Sequence, residues 1–189
     1  MATTPLHGSE PIGQTTNEDS SPWARIIYDA LMEADVRQCT YVPDAGHAVL
    51  IDMMRASPNV KTTVLTTEEE GVAMAAGAWA GGDRSVLLMQ SSGVGNCVNM
   101  LSLIANCRVP FLTIVTMRGE WAEFNPWQAA MGRATPDALE SMGVQVVRVE
   151  SIDELEDAIS GSATMAFDSD QAMAVLLSQK MLGRKDWVK

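Results

Sequence analysis

The sequence predicts an α/β fold, a three-layer sandwich in which helices cover both faces of a six-stranded parallel sheet. Three observations carry this. Short apolar runs alternate with segments of helical periodicity along most of the chain. Several runs, such as 85–89 (SVLLM), 111–115 (FLTIV) and 174–177 (AVLL), are apolar at nearly every position, as in parallel strands buried on both faces. The segments between them are long enough for a helical crossover, which parallel neighbours require.

The elements follow in order. Residues 1–21 are rich in Thr, Ser, Gly and Pro and lack periodicity, so they read as a flexible tail, leaving 22–189 as a single domain. Ser21 and Pro22 resemble a helix cap and first-turn proline, and the helix over 23–34 sets Ile26, Ile27, Ala30 and Leu31 on one face. A strand over 39–42 ends at Pro43; a helix over 46–55 turns Val49, Leu50, Met53 and Met54 inward. Next come a strand at 62–65 and a small-residue helix at 69–80, closed by Gly81 and Gly82. A strand at 85–89 leads to a turn at 91–95 and a helix at 97–105. The strand at 111–116 precedes an irregular stretch to Ala134, after which Thr135 caps a short helix to Met142. Gly143 ends that helix, and a strand at 145–149, a helix from Ser151 or Asp153 to Phe167, and a strand at 173–177 complete the pattern.

Composition narrows the function. Of 189 residues, 47% are hydrophobic and 20% charged, which excludes a disordered chain. A net charge of −11 disfavours nucleic acid and anionic membrane as partners. Cys39, Cys97 and Cys107 form no C-x-x-C pair, so neither a disulfide framework nor a zinc site is expected. No Lys or Arg precedes Arg25 and no apolar run has the length of a membrane span, so the expected location is the cytoplasm.

In a parallel sheet ligands bind beyond the carboxyl ends of the strands, so the informative residues lie in the loops there. These are 43–47 (PDAGH), 66–71 (TTEEEG), 90–96 (QSSGVGN) and 117–120 (MRGE), the last running on to Gln128. Acidic residues at a helix start suit the positive end of its dipole, which accounts for Glu69 and Glu70. Glu68 stands at the strand-to-helix corner, where a carboxylate can face the cleft. The Gly-rich loop lacks the third glycine of a dinucleotide fingerprint, because Val98 stands in its place, and the chain has no phosphate-binding P-loop.

Taken together, 67–78 (TEEEGVAMAAGA), 90–103 (QSSGVGNCVNMLSL) and 109–120 (VPFLTIVTMRGE) resemble the pyrimidine-binding domain of thiamine diphosphate-dependent 2-oxoacid decarboxylases. The turn Val42-Pro43-Asp44 and the stretch 131–144 (MGRATPDALESMGV) are most similar to the sulfopyruvate and phosphonopyruvate decarboxylase branch, where a free-standing alpha subunit occurs. The resemblance spans roughly residues 23–180. It implies that Glu68 hydrogen-bonds the cofactor's pyrimidine ring, and that Pro43, Ser92, Gly93 and Asn96 border that ring. Asp44 is the further polar group expected near the substrate, with His47 as a catalytic candidate set against a solvated helix-start histidine. Arg118 and Arg133 are candidates for an anionic substrate tail, set against simple pairing with carboxylates.

Two departures stand out. Where the family has an acidic-Pro-Gln-His stretch facing the active site, this chain reads Asn125-Pro126-Trp127-Gln128. The family's Gly-Asp-Gly start, which with a downstream Asn holds magnesium and the diphosphate, is missing; Gly82-Asp83 is followed by Arg84. The resemblance therefore implies half an active site: magnesium held by a diphosphate-binding (beta) decarboxylase subunit, and a hetero-oligomer acting on a small 2-oxoacid. A lyase or carboligase for a bulkier 2-oxo compound, and a ligand-binding module without catalysis, remain as alternatives at this point.

Overall fold

The computed structural model describes residues 21–184. The expected tail thus lies outside the described residues except for Ser21, which is buried.

The chain runs α1 (Pro22–Glu33), β1 (Val36–Tyr41), α2 (Ala48–Ala56), β2 (Lys61–Val64), α3 (Glu68–Ala80) and β3 (Arg84–Gln90). It continues through α4 (Ser91–Cys97), α5 (Leu101–Cys107), β4 (Phe111–Thr116), α6 (Ala129–Ser141), β5 (Gln145–Val149), α7 (Leu155–Asp168), β6 (Ala172–Leu177) and α8 (Gln179–Leu182). All six strands pair in parallel in the order β2-β1-β3-β4-β6-β5. The expected three-layer α/β sandwich is therefore present.

Period-two alternation divides the core in two. Leu88, Ile114 and Val175 point to the layer of α1, α2 and α7, where Ile27, Leu31, Leu50 and Ile159 pack. Leu87, Met89, Val115 and Leu176 point to the opposite layer with Val72, Leu101 and Leu139. All six residues of β4 are buried, which explains the near-continuous apolar run there, and the buried Thr113 hydroxyl is satisfied by the Leu87 carbonyl at 2.8 Å. The edge strands β2 and β5 are partly exposed.

Three local expectations need correction. Residues 91–97, read as a turn and helix start because of their glycines, form α4 outright. Tertiary contact overrides propensity here: Ser91, Gly93, Val94 and Cys97 are buried, and α4 packs on α3 and α6. Thr135 is no cap but lies inside α6, which starts at Ala129 and contains Pro136. The Thr135 hydroxyl donates to the Met131 carbonyl at 2.6 Å, so the polar side chain bonds within the helix and not at its start. The helix expected from Ser151 or Asp153 begins as a 3₁₀ turn, Ile152–Glu154, and becomes α7 at Leu155.

Strand order reverses between β1 and β3, because β1 leads through α2 to β2 on one side while β3 lies on the other. The crevice beyond their carboxyl ends is where such a sheet binds ligands.

Candidate active site

At that crevice lies a cavity of about 290 Å³ lined by Pro43 and Asp44 after β1, Glu68 at the start of α3, Gln90 at the end of β3, Ser92 in the first turn of α4, and Arg118 after β4.

The three glutamates opening α3 have separate fates. Thr67 donates its hydroxyl to the Glu69 carboxylate, and Glu70 accepts from the Thr66 amide at 3.0 Å and its hydroxyl at 2.8 Å. Glu69 and Glu70 thus serve the helix start. Glu68 is buried, and its Oε2 accepts from Asn96 Nδ2 at 2.8 Å. Gly93 lies flat against it: a Cβ there would stand 2.4 Å from the Glu68 carboxyl carbon, so no larger residue fits while the carboxylate holds its place. Of the residues expected to border a pyrimidine, Pro43 is exposed at the rim and Ser92 half-buried. Gly93 is buried behind Glu68, and Asn96 is exposed on α4.

Asp44 is held from several sides. Its Oδ1 accepts from the Gly46 amide at 2.9 Å and Gln90 Nε2 at 3.1 Å; its Oδ2 accepts from the Thr116 hydroxyl at 2.6 Å. Gly46 has no room for a side chain, because a Cβ would lie 2.8 Å from Asp44 Oδ2 and 2.9 Å from Thr116 Oγ1. Burial works against ionisation of Asp44, but the neighbouring His47 together with the Thr116 and Gly46 bonds outweighs it. The carboxyl is held far below the usual carboxylate range.

His47 is fully buried and is not the solvated helix-start side chain weighed from the sequence. The α2 entry packs it inward, with Nδ1 3.3 Å from Asp44 Oδ2 and Nε2 without a hydrogen-bond partner among the described residues.

The Arg118 guanidinium meets Glu123 in a two-pronged pair, Nε to Oε2 and Nη2 to Oε1, each at 2.6 Å. It also lies over the Phe124 ring, 5.7 Å from the centroid. This partnership holds Glu123 down to about 2, chiefly through the Arg118 hydrogen bonds. Gln179 closes the knot: it donates to Glu123 at 2.9 Å and accepts from the amides of Glu120 and Trp121. Arg133 is exposed on α6. Beyond Glu123, the 3₁₀ turn Pro126–Gln128 is fixed by Asn125 Oδ1, which accepts from the Trp127 amide at 3.1 Å, and it leaves Trp127 85% exposed.

Sequence reasoning missed Gln90, Thr116, Glu123 and Gln179. The first two were within reach, since each is the last residue of a central strand, where ligand-facing groups gather. Glu123 and Gln179 meet across 56 positions and carry no local signal.

The cysteines are free, with Cys39 and Cys97 buried and burial pushing both thiols up to about 12. Among the described residues, no group of three or more His, Cys, Asp or Glu is placed to hold a metal. None of their helices is long and apolar enough to cross a membrane.

Residues 23–134 match the family model of the thiamine pyrophosphate enzyme, N-terminal TPP binding domain. The chain is 34% identical over 152 residues to the sulfopyruvate decarboxylase subunit alpha of Methanothermobacter thermautotrophicus, covering 80% of this chain and 92% of that one. It is 30% identical to the subunit alpha of Methanococcus maripaludis, covering 80% and 91%. A phosphonopyruvate decarboxylase of Streptomyces viridochromogenes is 33% identical over 141 residues, 73% of this chain but 36% of that protein. Among solved structures, the 2-oxoglutarate:ferredoxin oxidoreductase of Magnetococcus marinus superposes with a TM-score of 0.65 at 12% identity, over 87% of this chain and 33% of that one. That likeness shows the fold.

Proposed function

The chain belongs to the thiamine pyrophosphate enzyme family, as its N-terminal TPP binding domain, and we propose that it works as the pyrimidine-binding subunit of a sulfopyruvate-type 2-oxoacid decarboxylase. The observation that carries the reading is the buried Glu68 carboxylate, oriented by Asn96 and backed by the bare face of Gly93, at the wall of the cleft. Such a cradle suits a flat heterocycle with a ring nitrogen that accepts and shares a proton.

Thiamine diphosphate, when bound, supplies the electron sink that takes up the pair released with carbon dioxide. The chain's own residues orient and protonate. Glu68 would hold a proton at the nitrogen of a bound pyrimidine, and Asn96, which donates to its carboxylate, would keep that proton presented in one direction. Pro43 and Ser92, which line the cavity, would border the ring, and Gly93 would back Glu68 from behind. Asp44, held well below the usual carboxylate range, would set a fixed negative charge in the wall of the cleft, with His47 packed behind it. An anionic substrate tail would meet Arg118 at Nη1, the nitrogen that Glu123 leaves free, or Arg133.

Magnesium and the diphosphate are assigned to a second, diphosphate-binding subunit, so the working enzyme is a hetero-oligomer. The naming of the relatives as alpha subunits supports this, as does their coverage almost end to end. A cytoplasmic location suits the free cysteines. The test is to assay this chain and a candidate partner carrying Gly-Asp-Gly, separately and mixed, with sulfopyruvate, thiamine diphosphate and magnesium. Turnover is expected in the mixture alone; full turnover by this chain by itself refutes the half-site reading.

A further inference from the structure

Gln90 has no part in the reading above, yet it joins two residues that do. The β3–β4 register pairs Gln90 with Thr116, so both side chains leave the sheet on the same face, and both reach Asp44. Gln90 Nε2 donates to Asp44 Oδ1 at 3.1 Å, while its Oε1 accepts from the Ser92 hydroxyl at 2.9 Å. We propose that Gln90 is a positioning residue for the reaction assigned to this site, locking Asp44 and Ser92 into a wall of hydrogen-bond acceptors facing the cleft. The proposal rests on the decarboxylase reading for its catalytic part.

The orientation of the amide follows from its neighbours. A carboxylate only accepts, so the NH₂ end must face Asp44 and the carbonyl end Ser92. A serine hydroxyl has one proton, and Ser92 gives it to Gln90. What Ser92 offers the cleft is therefore lone pairs alone; behind it the Asp44 carboxylate, its oxygens already accepting from Gly46, Gln90 and Thr116, adds negative charge rather than a free donor. This wall receives groups that donate, such as an amino or protonated ring nitrogen, and repels a carboxylate or sulfonate. The anionic end of a 2-oxoacid is thereby turned away from β3, toward Arg118 or the second subunit.

Replacing Gln90 by Glu and by Leu separates this from a packing role. A glutamate of the same shape still accepts from Ser92 but sets a like charge against Asp44, which raises the affinity of one of the two for a proton. Once protonated, the new carboxyl donates to Asp44 and accepts from Ser92, as Gln90 does. Gln90→Leu can do neither at any pH. The other groups facing Asp44 are His47, the Thr116 hydroxyl and the Gly46 amide, the nearby charge of Arg118, and Glu68 across the cavity. All are shared by wild type and variants, so the difference between them is the readout.

The expected result in thermal melts of the full chain is a Gln90→Glu deficit at pH 8 that closes by about pH 5, and a Gln90→Leu deficit that does not change. In the assembled enzyme, kcat/KM of Gln90→Glu should recover over the same range, while Gln90→Leu stays down by roughly tenfold, the order of losing one hydrogen bond to a charged group. A Gln90→Glu deficit that ignores pH overturns the proposal. So does an active assembled enzyme whose kcat/KM is untouched by either variant. An assembled wild type with no decarboxylase activity overturns the functional reading instead, and the melts still decide whether Gln90 couples Asp44 to Ser92.

Discussion

Replacing Gly93 with Ala asks whether the Glu68 carboxylate must stand where it does. The added methyl would lie 2.4 Å from the Glu68 Cδ and Oε1 and 2.5 Å from its Cγ, whereas ordinary contact begins at 3.4 Å. The carboxyl must therefore retreat by about 1 Å, a displacement that costs roughly 100-fold when it falls on a positioned catalytic group. Retreat is not free, because Glu68 is buried and its bond from Asn96 at 2.8 Å breaks as it swings toward the cleft. Overpacking of this kind costs about 1–3 kcal/mol. For a chain of this size about 2 kcal/mol lowers Tm by roughly 4–8 °C. Gly95→Ala is the control, since its methyl meets the flexible Met131 thioether at 3.2 Å and should leave rate and Tm nearly unchanged. The assay is sulfopyruvate decarboxylation by the assembled enzyme, beside melts of the chain alone. Normal kcat with Gly93→Ala would refute the argument that this close approach sets Glu68 for proton transfer.

Glu68→Gln should fold normally and lose roughly two to four orders of magnitude in decarboxylation, the scale of a positioned proton-transfer group. Glu69→Gln should be nearly silent, because that side chain only ties the helix start to Thr67; equal losses would displace Glu68 from its role. Acid should weaken the fold through groups held low in the native state. Glu123 moves from 4.5 to about 2 and Asp44 lies lower still, so their stabilisation is complete above the ordinary carboxylate range and fades as pH falls from about 4.5 toward 2. Tm measured against pH checks this, and Glu123→Gln should flatten part of the slope.

The fold was legible because its evidence is local. Three strands read as near-continuous apolar runs, and β4 and β5 fell on their observed boundaries, 111–116 and 145–149. The failures came where tertiary contact outvotes propensity. The glycines of α4 suggest a turn, but Gly93 is needed for contact with Glu68 and the helix is held by packing on α3 and α6. At the site, the resemblance singled out Glu68 and Asp44, yet what fixes them is spread over α4, β3 and β4. No spacing rule connects Asp44 with Thr116, 72 positions away, or Glu68 with Asn96, 28 away. His47 misled for the same reason, since nothing local tells a buried helix-start histidine from a solvated one.

Arg118 poses the last question, because removing it conflates two roles. Its Nε and Nη2 serve Glu123, and Nη1 remains for a substrate anion. Arg118→Met both strips the nearly buried Glu123 carboxylate of its counter-charge, leaving it the hydrogen bonds from Gln179 and the Gly119 and Asn125 amides, and deletes the proposed tail contact; breaking such a pair costs at most about 3–5 kcal/mol. Glu123→Ala carries the structural part alone, leaving the arginine charged and still beside the cleft. The double variant removes the orphaned charge, so its stability should recover part of what Arg118→Met loses. Against Glu123→Ala as the reference, the double variant isolates the tail contact. A sulfonate read by Nη1 predicts that KM for sulfopyruvate rises at least tenfold between those two variants while KM for pyruvate hardly changes, a charge-assisted hydrogen bond being worth about 1.5–3 kcal/mol. If both substrates lose equally, Arg118 serves the 118–128 segment, and the anionic tail is read by Arg133 or by the second subunit.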